Sequence, residues 1–171
     1  MNRGNMNSLE LEEKAPEGWF SRFDIEVLVP EIKLLKKGDT YLEIGVYKGR
    51  SLWVAQQTAA EGVWIMGVDI LEDPKIPHTL FMQIEEGEVA EIPRVVDLLF
   101  IDANHSYEGC KADIENYAPH VREGGVILFH DCDETSPGVV QAVNEYADEL
   151  NLEVELFKRE GFNTSIAKIQ L

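Results

Sequence analysis

Two short runs place acids and histidines side by side: Asp102-Ala103-Asn104-His105 and His130-Asp131. Each closes a short apolar stretch, Val96–Ile101 in the first case and Val126–Phe129 in the second. Stretches of this kind read as buried strands. Neighbouring strands lie about 4.8 Å apart, so if these two pair in one sheet, Asp102 and Asp131 converge on one site. Two converging carboxylates are costly unless a cation, a shared proton or water compensates. Mg²⁺ would do so through oxygen ligands and waters, whereas His130 suits a transition metal better. His105, three residues past Asp102, can take the proton of an acceptor hydroxyl near neutral pH. A metal on the same oxygen would lower the pKa of that hydroxyl. Plainer roles compete. Asp102, Asn104 or Ser106 could each cap the following helix, His105 could pair with a carboxylate, and His130 could be packed or hydrogen-bonded.

The second constellation is Glu43-Ile44-Gly45-Val46-Tyr47-Lys48-Gly49-Arg50-Ser51. Gly45 and Gly49 let a chain leave a strand, turn sharply and approach a ligand closely. The run is not GxGxxG, the pattern that seats a dinucleotide pyrophosphate on a helix N-terminus. That counts against a nucleotide-dependent oxidoreductase. Glu43 beside the loop suits a cationic ligand and disfavours pyrophosphate. Asp69 ends the next apolar run, where a carboxylate can accept both ribose hydroxyls of an adenosine. Loop and acid together point to S-adenosylmethionine, which carries a sulfonium, an amine and a carboxylate but no phosphate.

These residues need elements to hold them. Apolar positions at helical spacing from Asp24 to Leu35 predict a helix ending at Gly38, with Pro30 inside it. Strands follow at Thr40–Ile44, Val63–Asp69, Val95–Asp102 and Gly125–His130. They alternate with helices at Ser51–Glu61, Ser106–Val121 and Gly138–Leu150. Two final strands, Leu152–Phe157 and Asn163–Ile169, sit close enough for a hairpin. Alternating strands and helices imply right-handed crossovers and a parallel sheet. The expectation is a three-layer, Rossmann-like, doubly wound α/β fold. Its mostly parallel sheet has about seven strands, with an antiparallel strand near the C-terminus. The stretch Glu72–Arg94 should hold a strand and a helix, but Pro74, Pro77 and Pro93 interrupt it and only Leu80–Ile84 reads as a strand.

A length of 171 residues fits one domain. Residues 1–18 are polar and aperiodic and are expected to form a flexible arm, leaving 19–171 as a single domain. Trp19, Phe20 and Phe23 could pack or form a lid. Cys110 and Cys132 stand apart, as free thiols in a reducing, cytoplasmic compartment. No apolar run is long enough to span a bilayer. The net charge of −17 repels nucleic acid and anionic lipid alike. Neither nucleic acid nor membrane is an expected partner, and a homo-oligomer is left open.

The loop resembles the first motif of class I methyltransferases. Asp97–Gly109, Lys111-Ala112-Asp113 and Gly124–Asp131 are similar to the small-molecule O-methyltransferase subgroup that includes macrocin-type and cephalosporin-hydroxylase-like proteins. The resemblance runs from Thr40 to Gln141, and Ile101-Asp102-Ala103-Asn104-His105-Ser106-Tyr107 is its most specific part. It implies S-adenosylmethionine-dependent methyl transfer to a small hydroxylated acceptor, a metabolite or sugar. Glu43, Gly45, Val46, Gly49, Ser51, Asp69 and Asp102 would bind the cofactor. Asp102 and Asp131 would hold Mg²⁺ or another divalent metal, and His105, with Asp102, would be catalytic. Metal-dependent members carry a second acid where this chain has His130. The family also places a full strand and helix where Glu72–Arg94 is short. A non-catalytic binding or assembly module on the same fold is the alternative reading.

Overall fold

Alternate residues of the central strands go to opposite faces of the sheet, and both faces are apolar. On β1 (Thr40–Ile44), Leu42 and Ile44 join one buried cluster and Tyr41 the other. On β4 (Val96–Ile101), Leu99 and Ile101 face one way, Leu98 and Phe100 the other. Strands covered on both faces read as continuous apolar runs, which is why they are legible in the sequence. The computed structural model describes residues 6–161 and 164–171.

Among these residues the remaining strands are β2 (Trp64–Asp69), β3 (Leu80–Gln83), β5 (Val121–His130), β6 (Val154–Lys158) and β7 (Ser165–Gln170). The seven strands form one sheet in the order β3-β2-β1-β4-β5-β7-β6. β7 is antiparallel to both β5 and β6, and the other pairs are parallel. Helices α1 (Ser8–Lys14), α2 (Arg22–Leu34) and α3 (Arg50–Thr58) cover one face. Helices α4 (Tyr107–Tyr117) and α5 (Pro137–Leu150) cover the other. This is the expected three-layer, mostly parallel architecture. No helix among the described residues is long and apolar enough to cross a membrane.

Three differences from the sequence reading have physical causes. First, the stretch expected as an arm contains α1. Asn7 and Glu10 form a reciprocal capping box, and Leu11 is buried. A capping box satisfies two orphan amides at once, and the buried leucine anchors the helix although its neighbours are polar. Residues 1–5 of the expected arm lie outside the described residues. Second, 72–94 forms β3 but no helix. The chain returns as an irregular segment that buries Ile76, Ala90 and Ile92, with Ala90 N–H bonded to Tyr117 Oη at 3.2 Å. Third, α4 stops at Tyr117, and a 3₁₀ turn through Pro119 leads directly into β5. Phe162 and Asn163, part of the expected hairpin and last strand, are also outside the described residues.

Candidate functional site

Strand order reverses between β1 and β4, and there the carboxyl ends of β1, β2, β4 and β5 leave a crevice. The β1–α3 loop enters it at Gly45, whose φ is 85°. A Cβ on Gly45 would lie 2.1 Å from the Asp102 carbonyl oxygen, so only glycine lets the two strand ends approach this closely. Gly49, with φ 82°, precedes the first turn of α3, and a Cβ there would meet Pro74 at 2.9 Å.

Asp69 holds the loop from the end of β2. Its Oδ2 accepts the Val46 and Tyr47 amides, each at 2.6 Å, and Oδ1 accepts the Leu71 amide at 2.8 Å. The carboxylate expected to take ribose hydroxyls is therefore also the brace of the glycine loop. Glu43 lies behind the loop, fully buried. Tyr41 Oη donates to one of its oxygens and Ser51 Oγ to the other, both at 2.6 Å. Burial pushes the Glu43 carboxyl up to about 8, despite these two hydrogen bonds. Among the described residues Glu43 lines none of the cavities beside the loop, so it acts on them through Ser51 and the loop.

Two cavities flank the loop. The larger, about 670 Å³, is bounded by Gly45, Tyr47, Asp69, Asp102, Asn104 and Asp113. Asp113, on α4, faces this space. Burial lifts its pKa to about 6, and its Oδ2 has no hydrogen-bond partner among the described residues. The smaller cavity, about 210 Å³, lies between Val46, Trp19, Asp102, His105, His130 and Asp131. Gly45, Tyr47, Asp102 and Ala103 line both, so a ligand in one can touch a ligand in the other.

The expected convergence of acids is present. One oxygen each of Asp102 and Asp131 and one His105 nitrogen lie within 4.8 Å of one another. His105 Nε2 is 3.6 Å from Asp102 Oδ1 and 3.6 Å from Asp131 Oδ2. The ring is half-exposed, and the Asp102 carboxylate beside it leads the influences that raise its pKa. Asp131 adopts φ 53°, left-handed for a residue with a Cβ. Such strain persists where the surroundings over-determine it and clusters at functional sites. The Asp131 amide is bonded to the Ser165 carbonyl oxygen at 2.9 Å.

His130 is buried behind this pair. Its Nδ1 lies 3.3 Å from Asp102 Oδ1 and 3.2 Å from Asp131 Oδ2, in hydrogen-bonding geometry with neither. Its Nε2 faces Thr164 Oγ at 3.1 Å and Asp24 Oδ1 at 3.5 Å. Burial disfavours the imidazolium, but the charge of Asp102 and the neighbouring carboxylates outweigh it and hold the His130 pKa well above its ordinary value. Burial likewise favours protonated Asp102, and the charge of His130 outweighs it, so the Asp102 pKa is lowered.

Sequence reasoning did not find Asp24, Thr164 or Arg50. Ser21 and Asp24 form a capping box, a signal that marks a helix start but not a contact with a residue on β5. Arg50 donates to the carbonyl oxygens of Phe20 (2.7 Å), Pro16 (2.7 Å) and Glu12 (2.9 Å). It ties α1 and the segment after it to the glycine loop. Phe20 is buried, whereas Trp19 is 88% exposed and packs on Tyr47 with ring centroids 5.8 Å apart. The aromatic cluster therefore divides, with Phe20 in the core and Trp19 at the rim of the smaller cavity.

Residues 42–132 match the methyltransferase domain family. A protein from Acanthamoeba polyphaga mimivirus described as uncharacterized is 30% identical over 129 residues, covering 62% of this chain and 58% of that one. A second protein described as uncharacterized, from Sinorhizobium fredii, is 44% identical over 43 residues, 25% of this chain and 5% of that one. The chain thus aligns with little more than half of the first relative and a small part of the second. Among solved structures, an O-methyltransferase from Bacillus cereus in complex with S-adenosylhomocysteine superposes with a TM-score of 0.71 at 16% identity, over 96% of this chain and 89% of that one. MycE methyltransferase of the mycinamycin pathway, in complex with Mg, S-adenosylhomocysteine and mycinamycin VI, gives 0.69 at 17% identity, over 96% and 54%. CalS11, a TDP-rhamnose 3'-O-methyltransferase, gives 0.64 at 19% identity, over 85% and 76%.

Proposed function

Because the chain belongs to the methyltransferase domain family, we propose that it transfers a methyl group from S-adenosylmethionine to a hydroxyl of a small molecule, a metabolite or sugar, with His105 as the base. The observation that carries this is the place of His105. Its Nε2 stands 3.6 Å from two carboxylate oxygens, in the smaller cavity, next to the larger one across Gly45 and Asp102. The acceptor lies in the smaller cavity and the cofactor in the larger.

S-adenosylmethionine supplies a methyl group on a positively charged sulfur. Gly45 brings the loop against the end of β4 at the rim of the larger cavity, Asp69 fixes the loop and offers its carboxylate edge to the ribose, and Glu43 and Ser51 hold the loop from behind. Asp102 sits where the two cavities join. His105 takes the proton of the acceptor hydroxyl at Nε2, and Asp102 and Asp131 stabilise the imidazolium that results. Trp19 and Tyr47 narrow the entrance and offer aromatic faces to an apolar or sugar-like acceptor. The net charge of −17 supports a small molecule over nucleic acid or an anionic membrane surface.

The residues also fit a divalent cation. The donor set is two carboxylate oxygens converging beside a buried nitrogen, His130 Nδ1, that has no hydrogen-bond partner among the described residues. Asp102 and Asp131 would hold the ion, which would act as a Lewis acid on the acceptor oxygen.

Calorimetry with S-adenosylmethionine and S-adenosylhomocysteine tests the cofactor first, and micromolar binding is expected. Absence of binding at millimolar concentration would overturn the reading. His105→Ala should lower kcat by about 10²–10⁴-fold, the usual share of a general base, with cofactor affinity unchanged. Unchanged kcat removes His105 from that role. Cofactor binding without turnover on hydroxylated acceptors would favour a non-catalytic module.

A further inference from the structure

His130 is held in one tautomer from the side away from the site. Thr164 Oγ donates to Asp24 Oδ1 at 2.8 Å, and Asp24 is almost fully buried. With its hydrogen committed there, Thr164 Oγ can only accept from His130 Nε2, 3.1 Å away. Nε2 therefore carries a proton, and in the neutral ring Nδ1 is a bare lone pair. That lone pair lies 3.3 Å from one carboxylate oxygen and 3.2 Å from another. A lone pair facing two anions is repulsive unless a positive centre sits between them. His130 is 5% exposed and its Nδ1 has no hydrogen-bond partner among the described residues.

The spacing is that of a coordination shell. Ligand atoms about 2.0–2.2 Å from one ion lie roughly 3.0–3.4 Å from each other in octahedral or tetrahedral arrangement. The two His130–carboxylate separations fall in that range. A histidine ligand that donates its other nitrogen to a polar partner is the usual outer-shell pattern of a metal site. Here Thr164 and Asp24 form that partner chain. An imidazole nitrogen is a good ligand for Zn²⁺, Co²⁺ or Mn²⁺ and a poor one for Mg²⁺, which prefers all-oxygen surroundings.

We propose that His130 Nδ1 is a third protein ligand beside Asp102 and Asp131, and that it makes this a transition-metal site rather than a magnesium site. The proposal rests on the reading of Asp102 and Asp131 as cation ligands. His130 is the fixed ligand, locked from behind by Thr164 and Asp24. His105, on the half-exposed side, stays free to serve the acceptor. Three protein ligands leave coordination positions for the acceptor oxygen and water, as catalytic metal sites do.

The test uses the whole chain after chelation, titrated separately with Zn²⁺, Co²⁺, Mn²⁺ and Mg²⁺. Calorimetry measures affinity, cobalt absorption reports a nitrogen-containing shell, and nitrogen NMR of the histidine rings shows which nitrogen binds Zn²⁺. The expected result is Zn²⁺ and Co²⁺ binding at least about 10²-fold tighter than Mg²⁺, the direction of the general affinity order, with the His130 Nδ1 resonance shifted. His130→Glu, if folded by circular dichroism, should narrow that ratio at least ten-fold. The NMR shift reads ligation in the wild-type chain should this variant not fold. Mg²⁺ binding as tightly as Zn²⁺, or an unshifted His130, overturns the proposal. Absence of any metal binding also overturns it and makes His130 an imidazolium that neutralises the two acids. S-adenosylhomocysteine binding in the same samples is a separate readout, so loss of the metal idea and loss of the methyltransferase reading are distinguishable.

Discussion

Ser51 Oγ donates to Glu43 Oε1 at 2.6 Å, and this bond joins the first turn of α3 to the buried end of β1. With Tyr41 Oη on the other oxygen, it makes Glu43 a brace beneath the glycine loop rather than a wall of the cavity.

The brace has a pH signature. Burial raises the Glu43 carboxyl from 4.5 in the unfolded chain to about 8 in the fold. Between those values the folded state binds the extra proton, so stability falls as pH rises from about 4.5 to 8 and levels off above. Glu43→Gln keeps the shape and removes the titration. We expect the variant to be the more stable form above pH 8, by about 1–3 kcal/mol as for a buried unpaired charge relieved. Denaturation at pH 6 and pH 9 reads this. Cofactor affinity should stay within about three-fold, since a small structural change costs under 1 kcal/mol. A ten-fold loss would put Glu43 against the ligand.

Asp69 is the other support, and its two 2.6 Å bonds to the Val46 and Tyr47 amides are charge-assisted. Each such bond contributes about 1.5–3 kcal/mol. Asp69→Asn should therefore weaken S-adenosylhomocysteine by roughly 10–100-fold while leaving the global melt nearly unchanged, because the loss is local to the loop. Hydrogen exchange at the Val46 and Tyr47 amides should quicken in parallel. Weakened binding with unchanged exchange would mean that Asp69 acts on the ligand and not on the loop.

Much of this frame is legible in the sequence because its signals are local. Thr40–Ile44 and Val96–Ile101 are largely apolar runs, as strands covered on both faces must be, and Gly45 and Asp102 mark where they end. Asp102, His105 and Asp131 can be placed together because a doubly wound sheet of this class makes their strands neighbours. The contacts of His130 cannot be read in this way. Asp24 and Thr164 reach it from α2 and from the residue before β7, far apart in sequence, and no spacing rule links them. Helix α1 escapes notice because one buried leucine gives no periodicity. The missing helix in 72–94 is hinted at by its three prolines, but which residues the irregular chain buries depends on the sheet beneath it.

Arg50 makes its own prediction. It holds three backbone carbonyls of the N-terminal segment at 2.9 Å or less, and a planar guanidinium is shaped to do that where an ammonium is not. Arg50→Lys should free residues 15–20 without unfolding the sheet. Limited proteolysis should then cut between α1 and α2 at least several-fold faster, and the acceptor KM should rise more than kcat falls, since Trp19 and Phe20 border the smaller cavity. Unchanged proteolysis would mean that the packing of Leu11 and Phe20 alone holds the segment.

Two glycines in the left-handed region separate strain from contact. Gly38 has φ 99° and open space, with nothing within 4 Å of where a Cβ would stand, whereas at Gly45, φ 85°, that carbon would fall 2.1 Å from the Asp102 carbonyl oxygen. Alanine at Gly38 should cost only the left-handed conformation, about 1–2 kcal/mol. Alanine at Gly45 adds a backbone collision that only a shift of β1 against β4 can relieve, so we expect a loss of roughly 3 kcal/mol or more, beyond the usual range for a single substitution. The same shift would move Asp102 away from His105 and open the junction of the two cavities. Gly45→Ala should therefore abolish S-adenosylhomocysteine binding even in the folded fraction, while Gly38→Ala binds normally. Chemical denaturation together with calorimetry separates the two effects, and equal destabilisation of both variants would show that the β1–β4 approach at Gly45 yields without cost.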